Sequence, residues 1–84
     1  MAKYLDHHMK MPELPAGALE KMQADVRARR ADENGVIPLN VFMGTTGETW
    51  CLTEAPNADA VIKGHRAMGV ELAAKDVVEV NSLV

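Results

Sequence analysis

Five side chains of types that commonly bind metal ions occur in two short parts of the chain. Asp6 and His8 lie two positions apart near the N-terminus, and Cys51, Glu54 and His65 follow in one later segment. A strand through residues 2–9 would place Asp6 and His8 on the same face, about 7 Å apart. That spacing suits two ligands of one ion, or one ligand and the residue that orients it.

Structural roles are an open alternative for the N-terminal pair and for the histidine of the second helix. Asp6 and His8 could pair with each other, or with a basic side chain across a subunit interface. His65 shares its helical face with Val61 and Gly64 and must look toward the sheet. A histidine in that position is often a hydrogen-bonded core residue rather than a ligand.

Cys51 and Glu54 have opposite parity on one predicted strand, so their side chains should point to opposite faces. Cys51 and His65 could then meet beneath the second helix, while Asp6, His8 and Glu54 meet on the other face of the sheet. This arrangement predicts an interfacial metal site, and it leaves Cys51 as a small buried hydrophobic residue.

The elements that must position these residues follow from the periodicity of the chain. Alternation and β-branched runs predict four strands, at residues 2–9, 36–43, 49–55 and 76–80. Apolar residues three or four apart predict two helices, one from Pro15 to Asp32 and one that is capped by Asn57 and ends at Gly69. The short turn GTTGE predicts that the second and third strands form a hairpin.

The predicted order is β-α-β-β-α-β in a single domain spanning residues 1–84, which is the ferredoxin-like arrangement of α+β proteins. Both helices should cover one face of a four-stranded antiparallel sheet. The other face would expose a mixed set of side chains: Asp6, His8, Phe42, Trp50, Leu52, Glu54, Val77 and Glu79. Since such a face is unstable in water, we expect two sheets to pack face to face in a homodimer, as a dimeric α/β barrel.

Composition excludes several other classes of protein. The net charge is −3, so the chain lacks the basic surface that nucleic acids or anionic membranes require. No apolar run approaches the roughly 18 residues of a membrane span. The single cysteine cannot form an internal disulfide, and no signal peptide precedes the first strand, so a reduced cytoplasmic setting is expected.

Three stretches of the sequence carry a resemblance to a known family: YLDHH at 4–8, WCLTEAP at 50–56 and IKGHRAMG at 62–69. They resemble the motifs L-D-x-H, F-C-x-x-E-A-P and H-R-x-x-H-G in the small nickel-binding proteins of the dimeric α/β-barrel, ferredoxin-like type. The resemblance covers most of the chain and is weak in the first helix.

The resemblance implies a transition metal, nickel in that family, bound in a homodimer that acts in metal sequestration or homeostasis. The residues that match the family motifs are Asp6, His8, Cys51, Glu54 and His65. Met68 stands where family members often have a second histidine, and a thioether is a poor substitute for imidazole with nickel(II).

The alternative hypothesis is a small-molecule-binding enzyme of the dimeric α/β-barrel kind, similar to monooxygenases or isomerases. Its support is an analogy of fold. The sequence contains no nucleophile elbow, phosphate-binding glycine loop or paired zinc motif. A thiol nucleophile at Cys51 with His65 as its base is conceivable, although burial in mid-strand would disfavour the thiolate.

Overall fold

The computed structural model describes residues 1–83 and confirms the ferredoxin-like β-α-β-β-α-β order. Four antiparallel strands form one sheet in the order β2-β3-β1-β4. The elements along the chain are β1 (Ala2–His8), α1 (Ala18–Ala28), β2 (Ile37–Met43), β3 (Thr49–Ala55), α2 (Ala58–Ala67), a short 3-10 helix (Ala74–Asp76) and β4 (Val77–Val80). None of the described helices is long and apolar enough to span a membrane.

The first helix is shorter at both ends than its sequence pattern predicts. Gly17, with φ 85°, precedes it, and Arg29, with φ 51°, ends it by donating its N–H to the carbonyls of Asp25 and Val26. A residue with this left-handed backbone cannot continue a right-handed helix, so α1 stops at Arg29. Asn34 and Gly35 lie beyond the helix, in a separate turn before β2.

The core lies between the sheet and α2. Asn57 caps this helix, because its side-chain oxygen accepts the backbone N–H of Ala60 at 2.8 Å. Val61 is completely buried, as is Ala55 of the strand beneath it. Burying a valine side chain stabilises a fold by about 1.5–3 kcal/mol. A Cβ on Gly64 would lie 2.7 Å from Asp32 Oδ2, so glycine is required where the loop before β2 crosses α2.

The register of β1 and β3 decides which face each candidate ligand occupies. Asp6 lies directly opposite Cys51, and His8 lies opposite Thr49. Directly opposed residues of antiparallel strands share a face, and all four of these residues are buried. The prediction that Asp6 and His8 face away from the helices is therefore wrong.

Two residues of β4 were also assigned to the wrong face. Val77 pairs with Asp6 and Glu79 pairs with Tyr4, so both share the helix-covered side. Periodicity shows which residues of one strand share a face, but it does not show how that face aligns with the neighbouring strand. The open face of the sheet, as the structure has it, carries Leu5, His7, Phe42, Trp50, Leu52, Glu54 and Val78.

Candidate metal centre

Four predicted ligands converge in the space between the sheet and α2. Asp6 and His8 project from alternate positions of β1, and Cys51 projects from the neighbouring strand. His65 reaches the same point from the last turn of α2. One ligand atom from each residue lies within 4.8 Å of the others, and all four residues are buried. We refer to Asp6, His8, Cys51 and His65 as the buried cluster.

Asp6 lies at the centre of the buried cluster and is completely inaccessible to solvent. Its Oδ1 lies 2.6 Å from His8 Nε2 and 3.3 Å from His65 Nε2. Its Oδ2 is also buried and has no hydrogen-bond partner among residues 1–83. A buried carboxylate oxygen without a partner costs free energy, and a positive ion is one of the few groups that offset that cost.

His65 is oriented by the backbone of its own helix. Its Nδ1 donates a hydrogen bond to the carbonyl oxygen of Val61 at 2.9 Å. This bond fixes the proton of a neutral ring on Nδ1, so the lone pair of Nε2 points into the buried cluster. The rings of His8 and His65 are stacked, with centroids 5.0 Å apart. Such an outer hydrogen bond is what commonly orients a metal-bound histidine.

Burial and Asp6 together set the protonation of the other two groups. Burial alone lowers the pKa of His65, but the hydrogen bond and negative charge of Asp6 outweigh it, so the pKa lies above its ordinary value. Burial raises the pKa of the Cys51 thiol, and the nearby Asp6 carboxylate raises it further. Without a cation, then, the cluster favours a protonated His65 and a neutral Cys51 thiol.

The spacing of the donor atoms fits a single first-row transition metal ion. A tetrahedral ion with nitrogen, oxygen and sulfur ligands holds them roughly 3.3–3.7 Å apart. Cys51 Sγ lies 3.9 Å from His8 Nε2, and His65 Nε2 lies 3.3 Å from Asp6 Oδ1. The contact of 2.6 Å between His8 and Asp6 would have to lengthen. The residues therefore fit an ion after small side-chain shifts.

Glu54 does not lie with the other predicted ligands. It is on the open face of the sheet, where its nearest neighbours across the strands are Lys3 and Ile37. Met68 follows the end of α2 and is 54% exposed. Glu54 contributes no donor atom to the buried cluster.

His7, the residue before His8 on β1, lies on the open face beside Glu48 and Trp50. Its Nε2 is 2.7 Å from Glu48 Oε2, and its ring stacks on Trp50 at a centroid distance of 5.2 Å. Sequence reasoning missed Thr53, whose hydroxyl oxygen is buried and has no partner among the described residues. Its position two residues after Cys51 on the same face was the available signal.

Comparison with known proteins gives one informative match. No protein-family model matches this chain, and no curated protein matches it. Among solved structures, the chain is similar to the protein described as "Crystal structure analysis of SCO4226 from Streptomyces coelicolor A3(2)", with 28% sequence identity and a TM-score of 0.67. The match covers 99% of this chain and 100% of that one. It supports the compact α+β, ferredoxin-like fold.

Proposed function

We propose that each chain binds one divalent transition metal ion through Asp6, His8, Cys51 and His65. The observation that carries the proposal is the buried Asp6 carboxylate, which has one unpartnered oxygen and is surrounded by three further donor groups within 4.8 Å. A cation would partner that oxygen, take the lone pair of His65 and stabilise a Cys51 thiolate. The bound ion therefore resolves the unfavourable features of the metal-free cluster.

Nickel is the proposed physiological ion, and its support is the resemblance of the three sequence motifs. Imidazole and thiolate donors accept several first-row ions, whose affinities generally follow one common order. The donor set favours such an ion over calcium or magnesium, which prefer oxygen ligands. Metal sequestration or homeostasis is the role that we propose for a small protein of this kind.

The catalytic alternative with a thiol nucleophile has weaker support. Nucleophilic cysteines have lowered pKa values and lie near cations, whereas burial and Asp6 raise the pKa of the Cys51 thiol. His8, the nearest imidazole, is 3.9 Å from the sulfur and is already paired with Asp6. The Cys51 thiol is therefore better suited to be a metal ligand, which loses its proton when the metal binds.

We also propose a homodimer that forms through the open face of the sheet. Phe42 and Val78 on this face are 48% and 56% exposed, and Trp50 and Leu52 lie between them. Covering these side chains would remove apolar surface from water. The buried cluster lies on the opposite side of the sheet, so metal binding would not require the second subunit.

Metal analysis of protein purified without a histidine tag tests the proposed metal site. We expect about one equivalent of a transition metal per chain after dialysis against nickel, and a large loss of it in the Asp6→Asn variant. Asp59→Asn, which removes an exposed carboxylate on the outer side of α2, is the matched control. Equal, substoichiometric metal in all three proteins would contradict the proposal.

A further inference from the structure

Helix α1 lies over the sheet without packing tightly against it. None of its residues is buried, although Met22, Asp25 and Val26 face inward and are partly covered. Protein interiors normally reach the packing density of organic crystals. A helix that buries none of its residues therefore leaves space between itself and the sheet.

That space consists of two cavities that share the side chains of Met22, Val26 and Val41. The outer cavity, of about 240 Å³, opens toward the segment before α1 at Leu14. The inner cavity, of about 120 Å³, extends beneath α2. An apolar cavity of about 150 Å³ holds benzene in other proteins, so a molecule of that size would occupy the inner cavity together with part of the outer one.

The inner cavity combines an apolar lining with one unused polar group. Val36, Val41 and Val61 contribute apolar walls, and Thr53 lies among them. Thr53 is 5% exposed, and its buried Oγ1 has no hydrogen-bond partner among residues 1–83. A buried hydroxyl without a partner is costly. An occupant that exchanges one hydrogen bond with Thr53 would remove that cost.

The two carboxylates that line the inner cavity already accept hydrogen bonds from other groups of the protein. Asp25 accepts hydrogen bonds from Lys21 and Arg30, each at 2.6 Å. Asp32 Oδ1 accepts the backbone N–H groups of residues 34 and 36 at 2.8 and 3.0 Å. Neither carboxylate needs an ionic occupant as a hydrogen-bond partner, and the apolar remainder of the wall favours a neutral molecule.

We propose that the inner cavity is a binding site for a small, uncharged and largely apolar molecule that carries one hydroxyl or similar hydrogen-bonding group. The apolar part packs between α1 and the wall formed by Val36, Val41 and Val61, and the polar group pairs with Thr53 Oγ1. Cys51 and His65 also line this cavity. The occupant would thus lie beside the proposed metal ion, and only this last contact rests on the proposed metal site.

Phenol and toluene are matched probes for this site, because they have similar shapes and differ in the hydroxyl group. Each would be titrated into metal-free protein while amide chemical shifts are followed by NMR. We expect saturable shifts at Thr53, Val41 and Val26. Thr53→Val should weaken phenol binding by about fivefold and leave toluene binding nearly unchanged, since a net hydrogen bond is lost in one case only.

A second variant and a second readout separate the cavity from the metal site. Val26→Phe, which adds volume from the partly exposed helix, should abolish the binding of both probes. In cobalt-loaded wild type, phenol should shift the visible absorption of the ion. Absence of saturable shifts in metal-free protein, or equal effects of Thr53→Val on both probes, would overturn the cavity proposal. Failure of cobalt to bind would contradict the proposed metal site, and the titrations of metal-free protein would still test the cavity.

Discussion

Asp6 and Cys51 lie directly opposite each other on β1 and β3, beneath α2. This pairing places a buried carboxylate beside a buried thiol, and it brings His8 onto the same face. The candidate ligands of the two sequence motifs therefore meet within one protomer. A shift of one residue in the register would have placed Cys51 and Asp6 on opposite faces of the sheet.

Adjacent histidines on opposite faces of β1 give the most direct test of the buried cluster. His8→Ala should lower nickel affinity by at least the roughly 10-fold that even the loss of an outer partner costs. His7→Ala should leave it unchanged, because His7 contacts Glu48 and Trp50 on the open face. Calorimetric titration measures both variants. Equal losses would show that the metal binds at the open face or at both faces.

Glu54→Gln is the corresponding control among the carboxylates. Asp6→Asn keeps the shape of the side chain and removes the charge that the ion would neutralise, so it should reduce affinity at least as much as His8→Ala. Glu54 lies on the open face, and its variant should bind nickel as the wild type does. A larger loss of nickel affinity in the Glu54 variant than in the Asp6 variant would show that the metal binds at the open face.

Cys51→Ser should change the spectrum of the metal complex. A thiolate ligand gives nickel(II) and cobalt(II) complexes intense charge-transfer absorption in the near ultraviolet, and a serine ligand does not. The wild-type complex should show this band and the variant should lack it. The variant contains no cysteine and cannot show this band. Absence of the band from the wild-type complex would therefore exclude Cys51 as a ligand.

Metal affinity should fall as the solution is acidified. Asp6 raises the pKa of His65 above its ordinary value, so protons compete for His65 Nε2 beginning above about pH 6.5. Because the pKa of the Cys51 thiol is raised, this group is protonated near neutral pH and must release its proton when the metal binds. Calorimetry at pH 7.5, 6.5 and 5.5, repeated in buffers of different ionisation enthalpy, measures affinity and proton release. Affinity independent of pH would exclude both ligands.

The metal-free protein should show the opposite trend in its own stability. A histidine whose pKa is raised in the folded state stabilises the fold below its unfolded pKa of about 6.5, and this contribution is lost as the pH rises through the folded value. Thermal unfolding in chelator should therefore give a higher melting temperature near pH 6 than near pH 8, relative to the His65→Gln variant. An identical pH dependence in the two proteins would contradict the ion pair with Asp6.

Dimerisation and metal binding should be separable by substitution. Leu52→Lys places a charge at the centre of the open face and should convert a dimer into a monomer in analytical ultracentrifugation. Nickel affinity should persist, because the buried cluster is on the other side of the sheet. Ala67→Lys, on the exposed end of α2, is the control and should remain dimeric. A monomeric wild type at micromolar concentration, with the fluorescence of an exposed Trp50, would contradict the dimer.

The sequence by itself determined the order of the elements and identified most of the candidate ligands. Alternating and helical periodicities located β3 at its observed bounds, and Asn57 identified the start of α2. Asp6 and His8 were placed together because residues two apart on a strand share a face. These inferences hold because each depends on interactions between residues that are close in the chain.

The tertiary structure decided which faces meet. The alignment of β1 with β3 joins residues that are more than forty positions apart, such as His8 and Cys51, and no local pattern fixes it. The same holds for α1, whose sequence pattern predicts a packed helix but whose distance from the sheet leaves two cavities. Strand register and helix position result from packing over the whole domain, so the buried cluster and the cavity beside it could be located only in the folded chain.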